Sequence, residues 1–170
     1  DSQRARLTRV EREKANRVLV REHGRIKEGY RRSSFEIEPG AIDSSPELQF
    51  ASRLAWAVGK KLVPFRYTSA DPQDHYFDGM MNDGYMFVSL NNVLNHVTIA
   101  LHEAFHALVE TVPNLAEAMY RDIMAVKPDF EAIVSIYIDE SQRGWYNRDI
   151  AMEEFAGDLV AWRGSELMGI

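Results

Sequence analysis

Three residues in one short segment have the types and spacing that bind and use a metal ion. Residues 100–108 are ALHEAFHAL, which places His102, Glu103 and His106 in an HExxH pattern. Residues four apart lie one turn above each other on an α-helix, so both imidazoles face a single point. Glu103 can then take a proton from a water bound to the metal. The pattern predicts zinc-dependent hydrolysis; the alternative is a pair of buried or capping histidines on an amphipathic helix.

A catalytic zinc ion needs one further protein ligand, because it takes three and leaves a position open for water. The chain has no cysteine, so the remaining donors are histidines and carboxylates. The other histidines are poor candidates. His23 lies in a basic segment, His75 lies in a turn-rich segment, and His96 precedes His102 by six residues and therefore points away from the zinc-facing side.

The last predicted helix supplies the missing carboxylate. Glu154 and Asp158 are four residues apart, and Ala151 and Ala161 continue their face of the helix. We predict that Glu154 is the third ligand and that Asp158 accepts a hydrogen bond from a ligand imidazole, which fixes its tautomer. Glu153 is the competing third ligand, because one residue of helical register decides between the two. A solvated acidic face is the alternative to both assignments.

The helices and strands predicted around these residues indicate an α+β protein, mostly helical with a small sheet. Ser45 before Pro46 is a plausible N-cap, whereas Pro64 suggests that its strand lies at an edge or bends. Asn91 and Asn92 can cap the HExxH helix. The predicted helices cover residues 2–32, 46–59, 93–111, 114–126 and 148–167, the strands cover 62–68 and 85–90, and an apolar helix or strand covers 130–138.

These motifs together resemble the gluzincin branch of the zincin-like metallopeptidases. The shared order is a short strand (GYMFVSL, residues 84–90), an HExxH helix, and a later helix with Glu154 and Asp158 in ExxxD spacing. The segments LHEAFHALVETVPNLAEAMY and MEEFAGDLV are similar to zincin-like domains within large polyvalent proteins of phages and mobile elements, and more distantly to ImmA/IrrE-type peptidases. The resemblance covers about residues 46–165 and implies a zincin-like fold.

The resemblance also implies a zinc peptidase, an endopeptidase rather than an exopeptidase, that binds extended peptide through the edge strand preceding the HExxH helix. Tyr85, Met86 and Phe87 are the predicted substrate-binding residues. The residues alone agree, since a short edge strand beside a metal can accept a peptide as an added strand.

The gap between the HExxH motif and Glu154 is longer than in compact gluzincins. The residue that stabilises the oxyanion is therefore left open among Tyr146, Arg148 and His96.

Charge is distributed unevenly along the chain, whose net charge is −6. Residues 1–32 contain 11 Lys and Arg against 5 Asp and Glu, whereas the remaining residues contain 9 against 21. This contrast predicts a basic helical arm or linker over residues 1–40 and a metallopeptidase domain over residues 41–170. The arm lacks interleaved aromatic residues, so we interpret it as a connecting helix, with a nucleic-acid surface as the alternative.

The start of the chain and its apolar stretches predict its origin and its location. It begins at Asp1 without a cleavable leader, so we expect a piece of a longer polypeptide. No stretch approaches the roughly 18 to 20 apolar residues of a membrane-spanning helix, so we expect a cytoplasmic protein with no membrane partner. The expected cofactor is Zn²⁺ and the expected partner is a protein or peptide substrate. A non-catalytic zinc-binding module is the alternative function.

Overall fold

The structure is a computed structural model, and it describes residues 4–26, 35–69, 77–91, 94–112, 114–126, 132, 135–138, 147–167 and 169. Helices and one small sheet together make it an α+β protein, as predicted. Residues 135–138 are also helical. The elements are α1 (Arg9–Ile26), β1 (Phe35–Ile37), a 3-10 helix (Pro39–Ser44), α2 (Pro46–Ala57), β2 (Lys61–Tyr67), β3 (Gly79–Asn82), β4 (Tyr85–Ser89), α3 (His96–Thr111), α4 (Leu115–Val126) and α5 (Arg148–Leu167).

Contacts along the chain divide it into two compact units, Asp1–Ala104 and Phe105–Ile170. The boundary between the units falls inside α3, which is one continuous helix. The boundary predicted near residue 40 lies within the first unit. Among the helices in the described ranges, none combines the length and the apolar character that crossing a membrane requires.

The sheet has the strand order β1-β2-β4-β3, in which β2 and β4 are parallel and the outer pairs are antiparallel. The prediction that the strand before the HExxH helix is an edge strand is wrong, because β4 lies between β2 and β3. Strand β3, absent from the sequence prediction, lies between the two predicted strands, in the turn-rich segment. Asp83 and Gly84, with φ of 49° and 89°, form the tight turn that joins β3 to β4.

Pro64 was predicted to mark an edge strand or a bend, and the edge alternative is wrong because β2 lies between β1 and β4. Its carbonyl accepts a hydrogen bond from the Glu38 nitrogen (2.9 Å), one residue beyond the end of β1 at Ile37. The nitrogen and carbonyl of a strand residue point the same way, so the missing N–H of Pro64 faces away from β4. The Glu38 carbonyl instead accepts from the Ala41 nitrogen (3.1 Å). Proline therefore coincides with the point where β1 leaves the sheet.

The two faces of the sheet carry separate apolar clusters, because successive side chains of a strand alternate between faces. One cluster joins the sheet to α1, and the other joins it to α2 and α3. The first contains Ala15, Val18, Leu19, Phe35, Ile37, Val63, Phe65, Tyr67, Tyr85 and Phe87. The second contains Ile42, Leu48, Ala51, Ala55, Leu62, Met86, Val88, Ile99, Ala100 and Ala104.

Within the basic segment, Arg9–Ile26 form helix α1, whose thin apolar stripe packs on the sheet as part of the first cluster. Thr8 and Glu11 form a capping box: the Glu11 nitrogen donates to the Thr8 hydroxyl and the Thr8 nitrogen to the Glu11 carboxylate, both at 3.1 Å. Lys61 also contacts Glu11 (2.7 Å) and lowers the pKa of its carboxyl. Arg21 pairs with Asp83 (3.0 Å), so part of the positive charge of the helix is neutralised within the first unit.

The helix caps confirm one sequence prediction and correct another. The Ser45 hydroxyl accepts from the Leu48 nitrogen (3.3 Å) and Pro46 is the first helical residue, as predicted. The cap of α3 is Asn95, whose side chain accepts from the Val97 nitrogen (2.7 Å). Asn91 instead bonds through its side-chain amide to both backbone groups of Tyr67, while Asn92 lies outside the described residues.

Candidate metal centre

Helix α3 carries both predicted histidine ligands. Ile99, Ala100 and Ala104 bury one face of the helix in the second cluster, and His102 and His106 are half-buried. Glu103 is 6% exposed, which is unusual for a carboxylate and places it among the few buried charged or polar residues of the described chain. The apolar pattern of the helix fixes which side is buried, and the spacing of four aligns the imidazoles.

One group in the described part of the chain could hold a metal ion, and it is the predicted set His102, His106 and Glu154. One ligand atom from each residue lies within 4.8 Å of the others. Ligands about 2 Å from a shared zinc ion are at most about 4 Å apart, so small side-chain adjustments suffice. Two imidazoles and one carboxylate match the donor set of a catalytic zinc site and leave one position for water.

The two adjacent glutamates of α5 each contact a different nitrogen of the His106 imidazole. Glu154 Oε1 lies 3.1 Å from His106 Nε2, and Glu153 Oε2 lies 2.5 Å from His106 Nδ1. An ionised carboxylate only accepts, so with a metal on Nε2 the ring would carry its proton on Nδ1 and donate it to Glu153. Glu154 belongs to the group that could hold a metal, whereas Glu153 contacts the other nitrogen of the same ring.

Sequence reasoning missed this contact of Glu153 with His106, although two successive helical residues, about 100° apart, can flank a single ring.

Asp158 lies one turn beyond Glu154 and accepts a hydrogen bond from the Tyr137 hydroxyl. The Tyr137 ring also packs edge-on against Phe155, with ring centroids 5.7 Å apart. The predicted hydrogen bond from a ligand imidazole to Asp158 stays a prediction. Tyr137, which the sequence reading treated only as part of an apolar segment, thus contacts the carboxylate-bearing helix.

Small and apolar side chains hold α5 in place. Ala151 and Ala161, predicted to continue the carboxylate face, are fully buried. Ala156 and Phe105 form a further buried cluster, against which partly buried residues from α3, α4 and α5 pack. Those residues are Val109, Leu115, Met119 and Val160. Small side chains such as these let neighbouring backbones approach closely.

The buried carboxylate of Glu103 lies against strand β3. A Cβ atom built onto Gly79 would lie 3.1 Å from both Cγ and Oε1 of Glu103. The strand that approaches the predicted base is therefore β3, an element absent from the sequence prediction.

Tyr85, Met86 and Phe87, predicted to bind substrate, are core residues of β4. Their relative exposures are 4%, 0% and 0%, and β2 and β3 pair with both edges of the strand. A strand without a free edge cannot accept a further strand, so this prediction is wrong. Burial raises the pKa of the Tyr85 phenol, and the nearby carboxylates Glu11 and Asp83 add to the effect.

Two of the residues considered for oxyanion stabilisation lie within the described residues. His96 is the first residue of α3, and Arg148 is the first residue of α5, where its guanidinium contacts the Met152 sulfur (3.7 Å). Tyr146, His75 and the side chain of His23 lie outside the described residues.

No family model, curated protein or solved structure matches the chain.

Proposed function

We propose that this chain is a zinc-dependent endopeptidase of the zincin type. The observation that carries the proposal is the environment of Glu103. This buried carboxylate lies on α3 between two histidines that share a possible metal group with Glu154, and it contacts a strand at the sheet edge. Two metal-facing imidazoles with an adjacent buried base match the requirements of metal-assisted hydrolysis.

In the proposed reaction, His102, His106 and Glu154 hold the zinc ion. When bound, zinc would polarise a peptide carbonyl and lower the pKa of its water to about 7. Glu103 accepts a proton from the attacking water and passes it to the leaving amine. Glu153, whose carboxylate lies 2.5 Å from His106 Nδ1, would hold the ring proton on that nitrogen and leave Nε2 as the ligand.

The proposed peptide-binding edge is β3, in place of the predicted β4. The Ser89 nitrogen donates to the Asp78 carbonyl (2.7 Å), so the backbone groups of Asp78 point toward β4. Because these groups alternate along a strand, those of Met80 also point toward β4, whereas those of Gly79 and Met81 point outward. In the described part of the chain no other strand pairs with that side. Pairing along an edge requires no free peptide terminus, which favours an endopeptidase.

Replacing Met81 by proline tests this edge. Met81→Pro removes an outward N–H but no hydrogen bond between β3 and β4, so we expect the hairpin to persist. Loss of one hydrogen bond to substrate should raise KM for a cleaved peptide by about twofold to tenfold. The matched control is Met81→Ala, which shortens the same side chain but keeps the N–H. Equal KM values for the two variants would exclude pairing at this position.

Metal removal tests the proposed activity itself. We expect the purified chain to cleave members of an extended-peptide library, a chelator to abolish that cleavage, and added zinc to restore it. Mass spectrometry of the products locates the cleaved bonds and distinguishes internal from terminal cleavage. A chain that binds one zinc ion but cleaves no peptide would instead be a non-catalytic zinc-binding module.

A further inference from the structure

Gly79 occupies a position where strand β3 and helix α3 approach unusually closely. A Cβ atom built onto it would lie 2.5 Å from Cγ2 of Ile99, a separation that real Cβ atoms essentially never show. Ile99 is buried (4% exposed) and β-branched, so its methyl group cannot rotate away at low cost. Only glycine permits the observed spacing between strand and helix at this point.

Gly79 lies close to the carboxylate of Glu103, the proposed base, and also forms part of the outer edge of the sheet. The Glu103 carboxylate oxygen lies 3.1 Å from the constructed Cβ position, on the α3 side of the strand. The backbone N–H and C=O of Gly79 point outward, as derived above from the pairing of Asp78 with Ser89. A peptide paired with Gly79 would lie about 4.8 Å away, the usual spacing of adjacent strands.

We propose that Gly79 is a positioning residue, which sets the distance between a peptide bound along β3 and the Glu103 carboxylate. This inference rests on the proposed peptidase function. A side chain at position 79 would push β3 away from α3 and carry the paired peptide with it. The free edge would stay intact, so peptide affinity would be kept while the base became misplaced relative to its substrate. Misplacement by about 1 Å can cost about 100-fold in rate.

Gly79→Ala tests the proposal with a fluorescent peptide chosen from those that the wild type cleaves. We expect kcat to fall by about 10-fold to 100-fold. Zinc stoichiometry and the affinity of the metal-free protein for the peptide, measured by fluorescence anisotropy, should be unchanged, because the substitution alters neither the metal group nor the outward backbone groups of β3. The matched control is Gly40→Ala, where an added Cβ meets no atom within 4 Å.

A second variant separates spacing from general destabilisation. Gly79→Ala combined with Ile99→Ala removes the atom nearest to the new methyl group, so we expect it to recover part of kcat relative to Gly79→Ala alone. Ile99→Ala alone is the reference for the cavity that this change creates.

Three outcomes would overturn the inference. They are unchanged kcat in Gly79→Ala, equal loss of kcat and peptide affinity, and loss of zinc or of folding without recovery in the double variant. A wild type that cleaves no peptide would overturn the proposed function as well, so the two failures are distinguishable.

Discussion

Glu103→Gln is expected to keep zinc and to lose hydrolysis. Glutamine has nearly the same shape as glutamate, so the buried position of Glu103 on α3 can accommodate it. The amide cannot accept the proton of the attacking water, and general base catalysis contributes about 10²-fold to 10⁴-fold to such reactions. We therefore expect kcat/KM to fall by that factor. Zinc content by elemental analysis should be unchanged, because Glu103 is outside the possible metal group.

Glu110→Gln provides the matched control for this prediction. Glu110 lies on the same helix but is exposed, and the same chemical change there removes no buried group. Its kcat/KM should equal that of the wild type. If Glu103→Gln cleaves peptide at the wild-type rate, the role of Glu103 as base is wrong even if the metal site is correct.

The sequence predicts the two histidines of the metal group well because their signal is local. The spacing of His102 and His106 translates directly into one face of a helix. Helix α5 begins and ends where the sequence predicts it, at Arg148 and Leu167. The start of α2 is predicted for the same reason, because Ser45 and Pro46 act only on the residues that follow them.

The sheet was harder to predict because strand order depends on pairing between distant segments. β1 has three residues and β3 has four, too few to display a clear alternating pattern. The Asp83-Gly84 pair is the local signal that identifies the turn, because Asp-Gly before an aromatic strand is typical of a hairpin. A sequence prediction that lacks β3 places β4 at the edge of the sheet and makes its core residues available to substrate.

The distinction between Glu153 and Glu154 depends on helix rotation, which the sequence alone does not specify. Packing of Ala156 against Phe105 helps to fix the rotation of α5 and presents both carboxylates to His106. The alternatives posed from sequence were one ligand or the other. The structure assigns both residues to the same imidazole, at different nitrogens.

Zinc affinity should therefore separate the two glutamates. Glu153→Ala removes only the acceptor for His106 Nδ1, and loss of such an orienting partner weakens metal binding by about 10-fold to 100-fold. Glu154→Ala removes a member of the metal group itself, so we expect a loss greater than about 100-fold, above the range for orienting partners. Competition with a chromophoric chelator at fixed pH measures both affinities, and elemental analysis gives the stoichiometry.

Glu166→Ala is the control for both variants, because Glu166 lies on the same helix and pairs on the surface with Arg163 (2.9 Å). Its zinc affinity should match that of the wild type. A larger loss for Glu153→Ala than for Glu154→Ala would exchange the two roles, since the residue whose removal costs more is the one that binds the ion. Wild-type affinity in Glu154→Ala would instead show that zinc is held without the third ligand, and the proposed reaction would then lack its metal geometry.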